Sequence, residues 1–267
     1  MNIYSREAKN RIKSALIWSI SIFFLVLLFM SLYPGFATDE SLWEMVLENY
    51  PEVMLKAMGM TGVNMATVIG YFTFCMLFAQ ICFAVQASNY GFSILSEEER
   101  DMTADFLLTK PIKRSSVFFS KVFAAITGLV ITNAAFWAST FLCISIFSDG
   151  HKYEPKVFVE LLSVVILFQL FFLGVGMVIS VSVKKIKSVL SYSMGLAFGM
   201  YIISASGSII GEDRLSYITP FKYFEPNSFI TEGGYDPVLI VVCSMIIVIT
   251  ITAAFFLYKK RNVRTAS

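Results

Sequence analysis

Leu161-Leu-Ser-Val-Val-Ile-Leu-Phe-Gln-Leu-Phe-Phe-Leu-Gly-Val-Gly-Met-Val-Ile-Ser-Val-Ser-Val183 decides the fold class. No charged side chain lies between Glu160 and Lys184. At 1.5 Å per helical residue, about 20 such residues cross the hydrocarbon core of a bilayer. Five further windows share this property: Lys13 to Asp39, Lys56 to Glu97, Lys121 to Asp149, Lys187 to Glu212 and Asp236 to Lys259. The pattern predicts an all-α polytopic membrane protein with spans at residues 15–33, 65–85, 122–147, 161–183, 188–210 and 238–258. Composition agrees, with 57% apolar and 15% charged residues over 267, against about half and a quarter in soluble domains. With 26 Phe and one His, the chain excludes disordered, collagenous and nucleic-acid-binding classes.

Lysine and arginine orient the spans. With the N-terminus inside, the inner segments hold Arg6, Lys9, Arg11, Lys13, Arg100, Lys110, Lys113, Arg114, Lys121, Lys184, Lys185, Lys187, Lys259, Lys260, Arg261 and Arg264, which is 16 of the 21 basic residues. Both termini are therefore expected in the cytosol. The first apolar run is longer than a typical signal-peptide core, and no small-x-small cleavage site follows it, so it reads as a signal anchor. Cys75, Cys82, Cys143 and Cys243 all fall within spans and read as small buried residues, with no Cys/His metal spacing.

Tyr4, Ala8, Ile12 and Ala15 recur about every fourth residue, which predicts a short amphipathic N-terminal helix at the inner membrane surface. A basic leader that only sets topology fits the same residues. The first outer loop, 34–64, alternates acidic and apolar residues and predicts an outer-face helix interrupted near Pro51. The inner loop between spans two and three is the most informative. Ser96 followed by Glu99 is a capping-box pattern, and Glu97, Glu98 and Glu99 suit a helix N-terminus. A helix is expected to begin there and to stop near Lys110, before Pro111. Met102, Phe106 and Leu107 give it an apolar patch. Such a helix is a docking element in form; a connector resting on lipid headgroups is the alternative.

Glu98, Thr103, Asp105, Leu107, Leu108, Pro111, Ile112, Arg114 and Lys121 together form Glu-x4-Thr-x-Asp-x-Leu-Leu-x2-Pro-Ile-x-Arg-x6-Lys. This resembles the inner-loop signature of ABC-2 type permeases, the membrane subunits of bacterial ABC exporters. The resemblance extends to Tyr50-Pro-Glu-Val-Met-Leu-Lys-Ala-Met-Gly59 and to Tyr217-Ile-Thr-Pro-Phe-Lys-Tyr-Phe224, and with the six spans it covers nearly the whole chain. Met102 departs from it, since the family often has Gly there. The resemblance implies a single transmembrane domain over 1–267 in the bacterial plasma membrane. It also implies two ATPase partner subunits that bind ATP and Mg, and a second permease copy or a paralogue. Residues 97–110 then form a cytosolic coupling helix, and the resemblance implies that Glu97, Glu98, Asp105, Phe106, Leu107, Leu108, Pro111 and Arg114 meet the ATPase.

The residues themselves offer no catalysis. His151 lies in a short polar loop. Glu97 and Glu98 lack the Arg that completes the Glu-Glu-x-x-x-Arg motif of one intramembrane protease family, and Ser204-Ala-Ser-Gly207 has no intramembrane histidine to serve as base. No Gly-x4-Gly-Lys-Ser/Thr occurs, so the chain itself is expected to be neither an ATPase nor another enzyme, and to need no cofactor or metal. The assigned spans lack the carboxylates or basic residues through which secondary transporters couple to ions, each costing about 2.5–3.5 kcal/mol at a helix centre. In the fifth span, Ser188, Ser191, Gly195 and Gly199 share one face; they pack against a sister helix or line a path for substrate. Asn64, Thr67, Tyr71, Phe74 and Gln80 of the second span are candidates for the same pathway or dimer interface, while aromatic residues at such spacing most often serve plain packing. Asn133 and Gln169 are placed to hydrogen-bond between helices.

The sequence thus points to the permease subunit of an exporter for hydrophobic or amphipathic cargo. A membrane-embedded docking or signalling component that transports nothing is the competing class. The topology is testable by cysteine labelling. An impermeant reagent added outside is expected to reach positions in 39–56, 149–156 and 212–236 and to miss those in 97–113; labelling of the last segment would overturn the topology.

Overall fold

The computed structural model describes residues 3–38, 45, 48–58, 60, 62–100, 113–148, 150–183, 186–210 and 217–260, with the backbone alone over 95–100. Ten helices occupy them: α1 (Ile3–Thr38), α2 (Glu52–Ala57), α3 (Val68–Arg100), α4 (Arg114–Phe147), α5 (Pro155–Ser163), α6 (Val165–Ser182), α7 (Val189–Ile210), α8 (Pro220–Tyr223), α9 (Pro226–Glu232) and α10 (Pro237–Lys260). Six stretches are long and apolar enough to cross a membrane, α5 and α6 together forming the fourth. No strand occurs among the described residues.

The expected N-terminal helix and first span are one element. Ala8, Arg11, Ala15, Ser19, Ile22, Val26, Met30 and Tyr33 form a buried stripe at steps of three and four along α1. One unbroken face therefore packs from the N-terminal end along the whole span. Leu16, Ile17, Ile20, Phe24, Leu28 and Leu32 face outward, as lipid-facing residues do. The outer-face helix breaks where expected, at Tyr50 and Pro51, before α2.

The helix start expected at Ser96 is not there. α3 runs from Val68 through Ser96 to Arg100. Because the preceding turn is already helical, its carbonyls accept the amides that a capping box would serve. The expected stop before Pro111 lies outside the described residues. At its other end α3 begins with a cap: the Gly70 amide donates to Thr67 Oγ1 (3.1 Å), and the Ala66 amide to Asn64 Oδ1 (2.8 Å).

α3 and α6 form the centre of the bundle. Buried residues make up 67% of the apolar window in each of the second and fourth spans, against 17% in the fifth and sixth. α1 packs chiefly on α4, α10 on α6, and α7 on α3. The two central helices cross at glycines: a Cβ on Gly91 would lie 2.5 Å from the Leu173 carbonyl, and one on Gly176 would lie 3.1 Å from the Ser88 carbonyl. Gly174 is closed in by Thr250 of α10. Phenylalanines fill the remaining volume. Phe72 meets Phe158 (5.3 Å between centroids), Phe83 meets Phe136 (5.0 Å) and Phe168 meets Phe221 (5.1 Å).

The outer segment before α10 folds into this core. Thr219 caps α8, Phe221 and Phe224 are buried against Phe168, and α9 ends at Gly233, whose left-handed φ of 76° suits glycine. The labelling expectation for 212–236 is thereby corrected: Thr219, Pro220, Phe221, Tyr223, Phe224, Pro226 and Phe229 are buried, while Tyr217, Ile218, Thr231 and Glu232 are exposed.

Backbone contact at the α3–α6 crossing carries a prediction. Gly91→Ala is expected to push the helices apart and lower stability by about 1–3 kcal/mol, read as a lower thermal midpoint in detergent. Gly199→Ala meets nothing within 4 Å and is expected to leave the midpoint unchanged. Equal midpoints for both would contradict the crossing.

Candidate functional site: the coupling end and the outer cleft

The segments expected inside converge at one end of the bundle. Arg11 of α1 donates to Ser93 Oγ of α3 (2.7 Å), and its guanidinium lies 5.2 Å from the centroid of the Tyr90 ring. Lys121 of α4 donates to the Ile94 carbonyl (2.8 Å). Arg114, the first residue of α4, reaches the Lys259 carbonyl at the end of α10 (3.4 Å), where a cation suits the negative pole of a helix. Ile186 and Val189, beside the last inner loop, pack on Phe92. The N-terminus, both flanks of the first inner loop, the second inner loop and the end of α10 thus share a side, as the lysine and arginine bias requires.

Arg11 and Lys121 are 7% and 2% exposed. Sequence reading placed both in inner segments and missed their burial. The signal was present in part: Arg11 lies on the Ala8–Ala15 face of α1, and Lys121 closes the inner-loop motif.

The coupling candidates divide. Glu97 and Glu98 lie in the last turns of α3, and Arg114 opens α4. Asp105, Phe106, Leu107, Leu108 and Pro111 lie outside the described residues. The pathway candidates do not form one surface. Asn64 and Thr67 cap α3 and precede its span. Tyr71 packs on Tyr33 and Phe36 (both 5.5 Å), and Phe74 on Phe29 and Phe78 (5.6 and 5.1 Å), so this face of α3 meets α1. Ser191 and Gly195 lie exposed and Gly199 half-buried on α7, and the two glycines have no neighbour within 4 Å of an added Cβ. The close helix approach within this chain belongs to Gly91, Gly174 and Gly176.

The opposite face of α3 borders a narrow cleft on the outer side. Thr73, Leu77 and Gln80 form one wall and Tyr201, Ser204 and Ser208 of α7 the other, with α2 and α9 at the mouth. Gln80 donates to the Phe224 carbonyl (2.7 Å), and Tyr201 Oη donates to the Ala57 carbonyl (3.2 Å), so each wall anchors an outer segment. At the rim, Lys56 bonds Glu52 (2.7 Å) and holds its carboxyl below the ordinary value.

Between these ends the polar groups are uncharged and joined. Asn133 donates to Gln169, Gln169 to Gln86 (3.3 Å) and Gln86 to Thr132 (2.8 Å), linking α4, α6 and α3. Water is absent from the bilayer core, so amides there must satisfy one another. The hydrogen bonding expected of Asn133 and Gln169 is present; Gln86 completes it. Among the described residues, no group of three or more His, Cys, Asp or Glu side chains could hold a metal ion.

The family described as ABC-2 family transporter protein matches residues 1–263. No curated protein matches the chain. A multi-pass helical bundle gathers its basic segments at one end and keeps its membrane interior uncharged, and the match covers nearly its whole length. The chain therefore belongs to the ABC-2 transporter family, as a membrane-spanning permease component of an ABC transporter rather than its ATPase.

Proposed function

We propose that this chain is the permease subunit of an ATP-driven exporter that moves hydrophobic or amphipathic cargo across the bacterial plasma membrane. Two copies, or this chain and a paralogue, assemble with two ATPase subunits that bind ATP and Mg. The observation that carries this reading is the family match over 1–263. The uncharged interior supports it: amides and aromatic rings leave no ionised group within the assigned spans to couple a proton or sodium ion, so the energy comes from another subunit.

In this reading the inner loop after α3 receives the ATPase. Phe106, Leu107 and Leu108 anchor in a pocket of the partner, and Glu98, Asp105 and Arg114 give charge complementarity at its rim. The bare face of α7 at Ser191, Gly195 and Gly199 supports a helix–helix contact with the second permease, because an absent Cβ lets backbones approach.

Two measurements test this. Leu107→Asp is expected to insert normally but to bind the ATPase about thirty-fold more weakly, the equivalent of about 2 kcal/mol. Unchanged binding by Leu107→Asp and Phe106→Asp would move the docking surface to the second inner loop. Gly199→Leu is expected to weaken permease pairing in cross-linking without lowering the thermal midpoint of the single chain; unaltered pairing there and in Gly195→Leu would mean that this face meets only lipid.

A further inference from the structure

One turn of α3, Phe92 to Ile94, is held from three helices at once. Ser180 of α6 donates to the Phe92 carbonyl (3.1 Å), Arg11 of α1 to Ser93 Oγ, and Lys121 of α4 to the Ile94 carbonyl. The Ser93 hydroxyl donates to the Tyr90 carbonyl (3.2 Å), which directs its lone pairs outward to receive the guanidinium. Arg11 adds its contact with the Tyr90 ring, an attraction that strengthens on desolvation. Two of the three links carry a full positive charge from side chains that are almost wholly buried.

Such burial needs a reason. Removing an ammonium or guanidinium from water costs several kcal/mol before its partners compensate, and a Met or Leu would fill the same volume without that cost. What a buried cation provides and an apolar side chain does not is a directional, charge-assisted link. The position of this turn completes the argument. α3 continues only from Ile94 to Arg100 before the inner loop, and α4 leaves that loop at Arg114, two helical turns before Lys121. A displacement of the loop enters the bundle through this turn first.

We propose that Arg11 and Lys121 are positioning residues for energy coupling, clamping the cytosolic end of α3 to α1 and α4 so that movement of the inner loop drives these helices as one body. This rests on the reading of an ATP-driven permease. α1 and α4 pack mainly on one another and α3 is tied to both, so the three move together. α7 stands on the far side of the outer cleft, whose width then reports the motion.

The test uses the full permease–ATPase complex in liposomes and needs no cargo. Leu77→Cys and Ser208→Cys, one on each wall of the cleft, are labelled with an impermeant maleimide in the nucleotide-free and the ATP–vanadate states. In the parent the labelling rate is expected to change at least threefold between states. In Lys121→Met and Arg11→Met the ATPase is expected to remain bound and to hydrolyse ATP, with the nucleotide-dependent change lost. Lys121→Arg, which keeps the charge, is expected to restore it, and a role in stability alone would not produce that pattern. Ser93→Ala removes only the Ser93 hydroxyl that accepts from Arg11, accumulates even if the methionine variants do not, and is expected to at least halve the change. A full parental change in Lys121→Met and Arg11→Met, or in Ser93→Ala where those fail to accumulate, overturns the clamp while leaving the transport reading intact. A parent complex that binds ATPase and shows no change on either wall overturns the transport reading, and the clamp with it.

Discussion

The backbone contact between α3 and α6 is the constraint on which the rest depends. Gly91 and Gly176 let the two central helices approach until each meets carbonyl or backbone atoms of the other. At that distance no large side chain fits between them, so the aromatic residues are displaced to the flanks. There they pack α1, α4 and the outer segment α8 around the centre. In a bilayer, lipid tails are as apolar as the side chains, so association relies on such close packing and on hydrogen bonds between helices. The Gln86, Gln169 and Asn133 amides lie near the same crossing and have partners on α3, α4 and α6. A shift along the crossing would leave those amides unpaired in a medium without water, which gives the bundle a defined register.

Charge is confined to the two ends of this scaffold, and the ends differ. The outer rim carries short-range pairs, Lys56 with Glu52 and Lys222 with Glu225 (2.9 Å), within single turns or short loops. The exposed Lys56–Glu52 pair adds little stability. At the inner end, cations reach between helices to carbonyl and hydroxyl oxygens of α3 and α10. At the end proposed to receive the ATPase, the links therefore run between helices and come from cationic side chains.

Much of this architecture was legible in the sequence. Charge-free windows located six spans because a charge inside a bilayer is costly, and the basic segments gather at one end of the bundle. The inner-loop motif and topology identified the family. What one sequence could not show were properties of pairs of helices. Gly195 and Gly199 carry the familiar Gly-x3-Gly spacing, yet the close approach occurs at Gly91 and Gly176, which carry only the looser small-residue spacings Ala87-x3-Gly91 and Gly176-x3-Ser180. Ser96 and Glu99 form a capping pattern, but a helix arriving from the preceding span satisfies the amides that pattern would serve. Tyr71 and Phe74 looked like pathway residues; whether an aromatic stripe lines a path or packs on a neighbour depends on which helix stands opposite, and α1 does. Lys121 could be read as cytosolic from its neighbours, while its burial depends on α4 lying against the end of α3.

Site-specific photo-crosslinking tests most directly whether this permease is driven through its inner loop. A photoreactive amino acid at Asp105, in the purified membrane complex, is expected to capture an ATPase subunit, and the same probe at Glu154, on the opposite end of the bundle, is expected to capture none. Capture from Glu154, or from neither position while the ATPase remains bound, would contradict the assignment of the inner loop as the site where ATP-driven motion enters.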